Sequence, residues 1–189
     1  DNGEASSNSP LTFTSSNWDT AQTVTVTGVD DFLLDGTITS DLVVAIVDAS
    51  SDNNFDAVAD QTVSVSTTDD DVAGFTVAET EGSTGVTEAG GTDTFTVVLD
   101  AQPDSDVVLS IISSDTGEAT VTSSLTFTSA NWDTAQTVTV TGADDDLVDG
   151  TVSSTTTISV VDAASDNNFD GVADQTISVT TTDDDVAGF

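Results

Sequence analysis

The 189-residue sequence contains no lysine, arginine, histidine, cysteine, methionine or tyrosine, while carrying 35 acidic side chains and a formal net charge of −35. Without imidazole, thiol, amine or guanidinium groups, general-base, nucleophilic and phosphoryl-transfer sites lose their usual participants. Carboxylates and hydroxyls remain. Nucleic acid and anionic membrane are excluded as direct electrostatic partners, because each needs a positive patch that this chain cannot build. The longest aliphatic run, Leu42 to Val47, is far too short to span a bilayer. The absence of cysteine fits a reducing compartment, and equally a secreted protein that uses metal in place of disulfides. Cations are the natural partners.

What is present points to strands. The chain holds 35 threonines and 26 valines against five glutamates, a β-branched bias that suits a pleated sheet and works against helix. Residues 11–75 realign without a gap on residues 125–189 at an offset of 114, with 49 identities in 65 positions. Gly3-Glu4-Ala5 falls on Gly117-Glu118-Ala119 at the same offset. Such a period marks a tandem array. Expected divisions are residues 1–71 as the later part of one repeat, 72–185 as a complete repeat, and 186–189 as the start of the next. The sequence reads as a window onto a longer array.

Within the complete repeat the apolar period is two: Phe95, Val97 and Leu99 alternate with Thr94, Thr96 and Val98. Val44 and Ile46 of the first copy become Ile158 and Val160, still aliphatic, which sets the even-numbered face inward. Strands are expected near residues 73–78, 84–88, 92–100, 106–112, 118–127, 135–142, 155–162 and 175–182, the first two as one broken edge strand. The fold class is all-β, an antiparallel sandwich of seven strands. Trp18, Trp132 and Phe127 read as core or end-plug residues.

The aspartates gather at strand ends instead of scattering over the outward faces. Bunched like charge costs energy unless something neutralises it. Asp144, Asp145, Asp146 and Asp149 form one bunch, the stretch Asp162 to Asp174 a second, and Asp183, Asp184 and Asp185 a third. Oxygen ligands without histidine or cysteine suit Ca²⁺, which accepts six to eight of them in a flexible shell. In the second bunch Asp166, Asn168, Asp170, Gly171 and Asp174 read D-x-N-x-D-G-x-x-D, the first nine positions of an EF-type loop, but Ile177 stands where the closing glutamate belongs. Asp52, Asn54, Asp56 and Asp60 hold the same places in the first copy, with Ala57 replacing the glycine. The loop is either a metal site or a polar hairpin of Asx turns. Gly171 is expected to supply a left-handed turn that Ala57 would resist.

The complete repeat resembles the Calx-beta domain, first defined in sodium/calcium exchangers and found in tandem arrays of bacterial extracellular adhesins. Val86-Thr87-Glu88, Asp144-Asp145-Asp146-Leu147-Val148-Asp149-Gly150 and Thr182-Asp183-Asp184-Asp185 resemble its three acidic motifs in order. The resemblance implies a Calx-beta or immunoglobulin-like sandwich with Ca²⁺ at one end, and ligand roles for Glu88, Asp144, Asp145, Asp149, Asp183, Asp184 and Asp185. Asp115, in the intervening loop where the family motif is not reproduced, is carried over with them. Counterparts in the first copy are Asp30, Asp31 and Asp35, with Phe32 in place of Asp146, and the triplet Asp69, Asp70 and Asp71.

The function expected from these readings is a Ca²⁺-stabilised structural or extender repeat of a long secreted or cell-surface adhesin-like protein. Its partners would be calcium ions, neighbouring repeats and a cell-surface or matrix ligand. The alternative is a Ca²⁺-dependent module binding carbohydrate or protein. Paired carboxylates can hydrolyse glycosides, but these acids recur in metal-like bunches without an arguable cleft, so no enzyme is expected.

Overall fold

The computed structural model describes residues 3–189. They fall into two compact units, the first ending at Asp70 and the second spanning Asp71–Phe189. Strands and short 3₁₀ turns make up the regular structure among the described residues, and no helix there is long and apolar enough to cross a membrane.

In the first unit β1 (Ala5–Ser7) pairs with β2 (Val26–Gly28), and β3 (Ile38–Val44) pairs with β4 (Gln61–Thr67), both antiparallel. None of its described residues is buried. The second unit holds β5 (Phe75–Glu79), β6 (Thr84–Thr87), β7 (Thr92–Leu99), β8 (Val107–Ser113), β9 (Ala119–Val121), β10 (Ser124–Phe127), β11 (Gln136–Gly142), β12 (Val152–Val160) and β13 (Gln175–Thr182). These form a five-stranded sheet in the order β10-β8-β12-β13-β6 and a four-stranded sheet in the order β5-β7-β11-β9. The arrangement is sandwich-like.

The alternation in the sequence explains the core. Phe95, Val97 and Leu99 of β7 are buried, as are Val138 and Val140 of β11, Leu109 and Ile111 of β8, and Ile177 and Val179 of β13. Burying each such side chain contributes roughly 1.5–3 kcal/mol. On β12 the even-numbered side chains Ser154, Thr156 and Ile158 are the buried ones. The outward face of the four-stranded sheet carries threonine: Thr92, Thr94 and Thr96 lie opposite Thr141, Thr139 and Thr137. Cross-strand threonine pairs of this kind stabilise a sheet without charge.

Nine strands form in place of the expected seven, because two expected strands each divide between the sheets. A 3₁₀ turn at Thr80–Gly82, with Glu81 at φ 57°, separates β5 in one sheet from β6 in the other. Thr122 and Ser123 likewise separate β9, paired with β11, from β10, paired with β8. β6 joins β13 in parallel, Val179 opposite Thr84 through Thr182 opposite Thr87. The remaining pairs are antiparallel.

Pairing fixes two poles of the second unit. One gathers the ends of β6, β11 and β13 and the starts of β9 and β12: Glu88 N donates to Thr182 O at 3.1 Å and Gly142 N to Gly91 O at 2.9 Å. The loop after β12 closes the opposite pole, where Phe169 is fully buried. Phe127 is buried there too, and Trp132 is half-buried with its carbonyl accepting from Leu99 N.

Candidate metal centre

The first pole is built by close backbone approaches before any acid is considered. A Cβ on Gly142 would lie 2.0 Å from Thr87 O, so only glycine lets the end of β11 pass this near the end of β6. Ala143 N then donates to Glu118 O at 2.8 Å, and Thr181 Oγ1 donates to the same carbonyl at 3.3 Å. Glu118, immediately before β9, is thereby held against the end of β13. In the loop before β12, Gly150 adopts φ 79° and its amide donates to Asp183 Oδ2 at 2.8 Å. Asp145 Oδ1 accepts from Leu147 N at 2.6 Å, stiffening that loop.

These constraints converge carboxylates. Glu88, Glu118 and Asp149 each place one oxygen so that all three lie within 4.8 Å of one another, and Glu88, Asp183 and Asp185 do the same. Glu88 belongs to both groups. Only 1% of it is exposed, and neither of its carboxylate oxygens has a hydrogen-bond partner. Glu118 Oε2 and Asp185 Oδ2 are buried and unpartnered as well. An unpartnered buried polar atom is costly, and a charged one more so.

The electrostatics follow. Burial first, then the charges of Asp183, Asp149, Asp145 and Glu118, push the Glu88 carboxyl above its ordinary value. Burial, with Asp149, Asp115, Asp145 and Asp183, does the same to Glu118. Asp185 is raised by burial and by its neighbours Asp183, Asp146, Asp184 and Asp144. Asp183 moves the other way, held down by the amides of Gly150 and Asp185. A pocket of raised, unpartnered carboxylates with no cationic side chain anywhere in the chain fits a divalent cation. An all-oxygen donor set favours Ca²⁺.

Of the residues singled out in the sequence, the structure brings Glu88, Asp149, Asp183 and Asp185 together. Asp145, Asp144, Asp146 and Asp184 lie near enough to act through charge but fall outside the two groups. Asp115 accepts from Gly117 N at 3.0 Å and bears on Glu118 through its charge. Glu118 itself escaped the sequence reading, although the recurrence of Gly-Glu-Ala at the repeat offset in a chain with five glutamates carries that signal.

The first unit repeats part of this architecture at the same offset. Glu4, Asp31 and Asp35 group within 4.8 Å, Val29 N donates to Glu4 O at 2.9 Å, and Gly36, at φ 72°, donates to Asp69 Oδ2. Burial and the charges of Asp35, Asp31 and Asp69 raise Glu4. Asp30, Asp70 and Asp71 fall outside these groups.

The aspartate loops lie elsewhere. Asp166, 5% exposed, caps the 3₁₀ turn Asn167–Phe169. Its Oδ1 accepts from Asn168 N and its Oδ2 from Ser105 N, each at 2.9 Å. Burial alone would raise this carboxyl, but the amides of Asn168, Ser105 and Asp104 outweigh it and leave it below its ordinary value. Asn168, Asp170 and Asp174 are exposed and join no group. Asp52 caps Asn53–Phe55 identically, and Asn54, Asp56 and Asp60 are exposed. The expected left-handed turn at Gly171 is absent, since its φ is not positive and an added Cβ would meet nothing within 4 Å. Both copies make one turn, Val172 N to Phe169 O at 3.0 Å and Val58 N to Phe55 O at 2.9 Å, so Ala57 fits where Gly171 stands.

No protein-family model matches the chain, and no curated protein matches it. Similar solved structures include the E. coli chaperone DraB, with a TM-score of 0.43 at 10% identity over 62% of this chain and 59% of that one. Domains 1–6 of the surface layer protein SbsC give 0.45 at 20% identity over 87% of this chain and 18% of that one. SSP-19, an MSP-domain-like protein of Caenorhabditis elegans, gives 0.35 at 17% identity over 53% and 92%. The chain thus spans under two thirds of the DraB and SbsC chains it resembles.

Proposed function

We propose that this chain is a Ca²⁺-stabilised structural repeat of the Calx-beta type, serving as an extender in a secreted or cell-surface adhesin-like protein. The observation that carries this reading is Glu88: a carboxylate buried to 1% exposure, with both oxygens unpartnered, shared by two groups of convergent acids. In its ionised form such a group needs a counter-charge, and the chain has no cationic side chain to supply one. When bound, Ca²⁺ would supply the neutralising charge; Glu88, Glu118, Asp149, Asp183 and Asp185 would hold it. Those residues belong to four separate segments, so the chain's own carboxylates tie the ends of β6 and β13 to β9 and to the loop before β12.

An extracellular setting supports the same reading, because weak sites, with dissociation constants of roughly 10⁻⁴ to 10⁻³ M, are useful where external calcium is millimolar. Broad faces of threonine with acids confined to the poles suit a scaffold more than a catalyst. Calorimetric titration and thermal melting in EDTA and in excess Ca²⁺, at matched ionic strength, test the proposal. Free Ca²⁺ at 100 times the dissociation constant should stabilise the second unit by about 2.7 kcal/mol per site. Glu88→Gln should abolish most of that shift while making the EDTA form more stable. Equal melting in both conditions would overturn the reading.

A further inference from the structure

The metal groups sit at one particular seam. β6 and β13 are the only parallel pair among the described strands, and they are the second and the last strands of their unit. β5 pairs antiparallel with β7. β6 turns directly into β7, with Gly91 N donating to Thr87 O across the turn. β5 and β6 therefore run in one direction, and β13, parallel to β6, runs in that direction too. The chain enters the second unit at the pole of Phe169 and leaves it at the pole of Glu88. Tension applied along the chain draws β6 toward the Phe169 pole and β13 toward the Glu88 pole. Two parallel strands drawn apart along their length are sheared, so the whole Val179–Thr182 register against Thr84–Thr87 is loaded together.

Glu88 is the residue after β6, and Asp183 and Asp185 follow β13. Their oxygens lie within 4.8 Å of one another across this seam, and Glu88 N donates to Thr182 O beside them. Asp183 and Asp185 are also the residues through which an outgoing pull passes. Sliding of β6 against β13 separates Glu88 from both.

We propose that the second unit is a force-bearing element in which the parallel β6–β13 pair carries tension and the Glu88–Asp183–Asp185 group, holding a divalent cation, sets how long that pair survives. The proposal rests on the cation reading above. Because the group parts as the strands slide, an interaction there is lost by the transition state and slows forced unfolding by its full native-state stabilisation.

The test is single-molecule force spectroscopy on the full chain, held at its two ends, with Ca²⁺ as the probe. Opening of the second unit is recognised by a contour gain of roughly 380 Å at about 3.3 Å per residue. At free Ca²⁺ of 100 times the calorimetric dissociation constant, its lifetime under constant load should lengthen roughly 100-fold over EDTA. Glu88→Gln and Asp185→Asn should each remove that gain, two variants guarding against one that fails to fold. The chain has no cysteine, so an Asp104→Cys handle paired with the N-terminal one redirects the load. That geometry peels β5 from β7 at the Phe169 pole without crossing the seam, and the first rupture within the second unit should ignore Ca²⁺. Calcium that binds and raises the melting temperature while leaving end-to-end lifetimes unchanged would overturn the force-bearing role and leave the cation reading standing. Calorimetry showing no binding would overturn both.

Discussion

Asp166 offers a direct measurement of what the aspartate loop does. Its carboxylate accepts from Asn168 N and Ser105 N, each at 2.9 Å, and joins the loop after β12 to the start of β8. Alanine at this position strands two amide donors, each at about 1–3 kcal/mol when fully buried. Asn168 and Ser105 lie at the surface themselves, so water recovers part of the loss, and a total near 2–3 kcal/mol is expected. Against a typical domain stability of roughly 5–15 kcal/mol, this is a large fraction. Asp166→Asn, retaining one acceptor, should lose about half as much. Urea denaturation followed by tryptophan fluorescence measures it, because Trp132 is half-buried in this unit whereas Trp18 is 72% exposed. The folded carboxyl titrates below its ordinary value near 3.8. Its contribution is therefore complete above pH 3.8 and declines as the pH falls further, through the folded value. The alanine penalty should be flat above about pH 5 and shrink in acid. It should be the same in EDTA and in Ca²⁺. A loss under about 0.5 kcal/mol, or one that appears only with Ca²⁺, would refute the assignment of Asp166 as a strut and return it to the metal ligands.

Three further outcomes are expected. Gly142→Ala should destabilise the second unit by about 3 kcal/mol or more, since its Cβ would meet the Thr87 carbonyl at 2.0 Å, whereas Gly171→Ala and Ala57→Gly should each change denaturation midpoints by less than about 0.5 kcal/mol. In EDTA, Glu88 and Glu118 titrate above their ordinary value of 4.5, so stability should rise as the pH falls from neutral toward 4.5 and level off below it; melting temperatures that fall steadily over that interval would contradict the raised carboxyls. Hydrogen exchange should separate two nearly identical peptides: alternate amides of Ser124–Phe127 are protected by β8, while those of residues 11–13 exchange freely.

That last contrast shows where sequence reasoning reaches its limit. Leu11 to Ser15 and Leu125 to Ser129 are the same five residues, yet the second copy forms β10 against β8 and the first forms no strand. Phe127 is fully buried while Phe13 is 55% exposed. Alternation says which side chains would face inward; a strand exists only where a partner strand lies beside it. Nothing in residues 3–70 corresponds to β5 through β8. The break at Thr80–Gly82 was expected, but not that its two halves join different sheets, and the split at Thr122–Ser123 was hidden altogether, because a run of alternating residues does not reveal that its partner changes midway. The acidic pole was legible in Asp149, Asp183 and Asp185, which come in bunches. Glu118 belongs to none of the aspartate bunches, so its place depended on Ala143 and Thr181 reaching its carbonyl. The loop at Asp166 shares its opening spacing with a calcium loop for a physical reason, since an aspartate capping a 3₁₀ turn is followed two residues later by asparagine.

The seam between β6 and β13 also governs the order in which the fold can be assembled. Thr180 Oγ1 reaches Thr84 O across 96 positions, and Gln175 reaches the Phe75 carbonyl across 100. Closing so long a loop costs entropy before any contact rewards it, whereas the β12–β13 pair can form from neighbouring sequence. Charge repulsion falls on this same closure, since Glu88 must come to rest against Asp183 and Asp185. Entropy and electrostatics thus fall on one late step. On the proposed cation reading, a divalent ion would relieve the electrostatic part of that step and leave the entropic part, so it would act on the joining of the second and last strands after hairpins such as β12–β13 have formed.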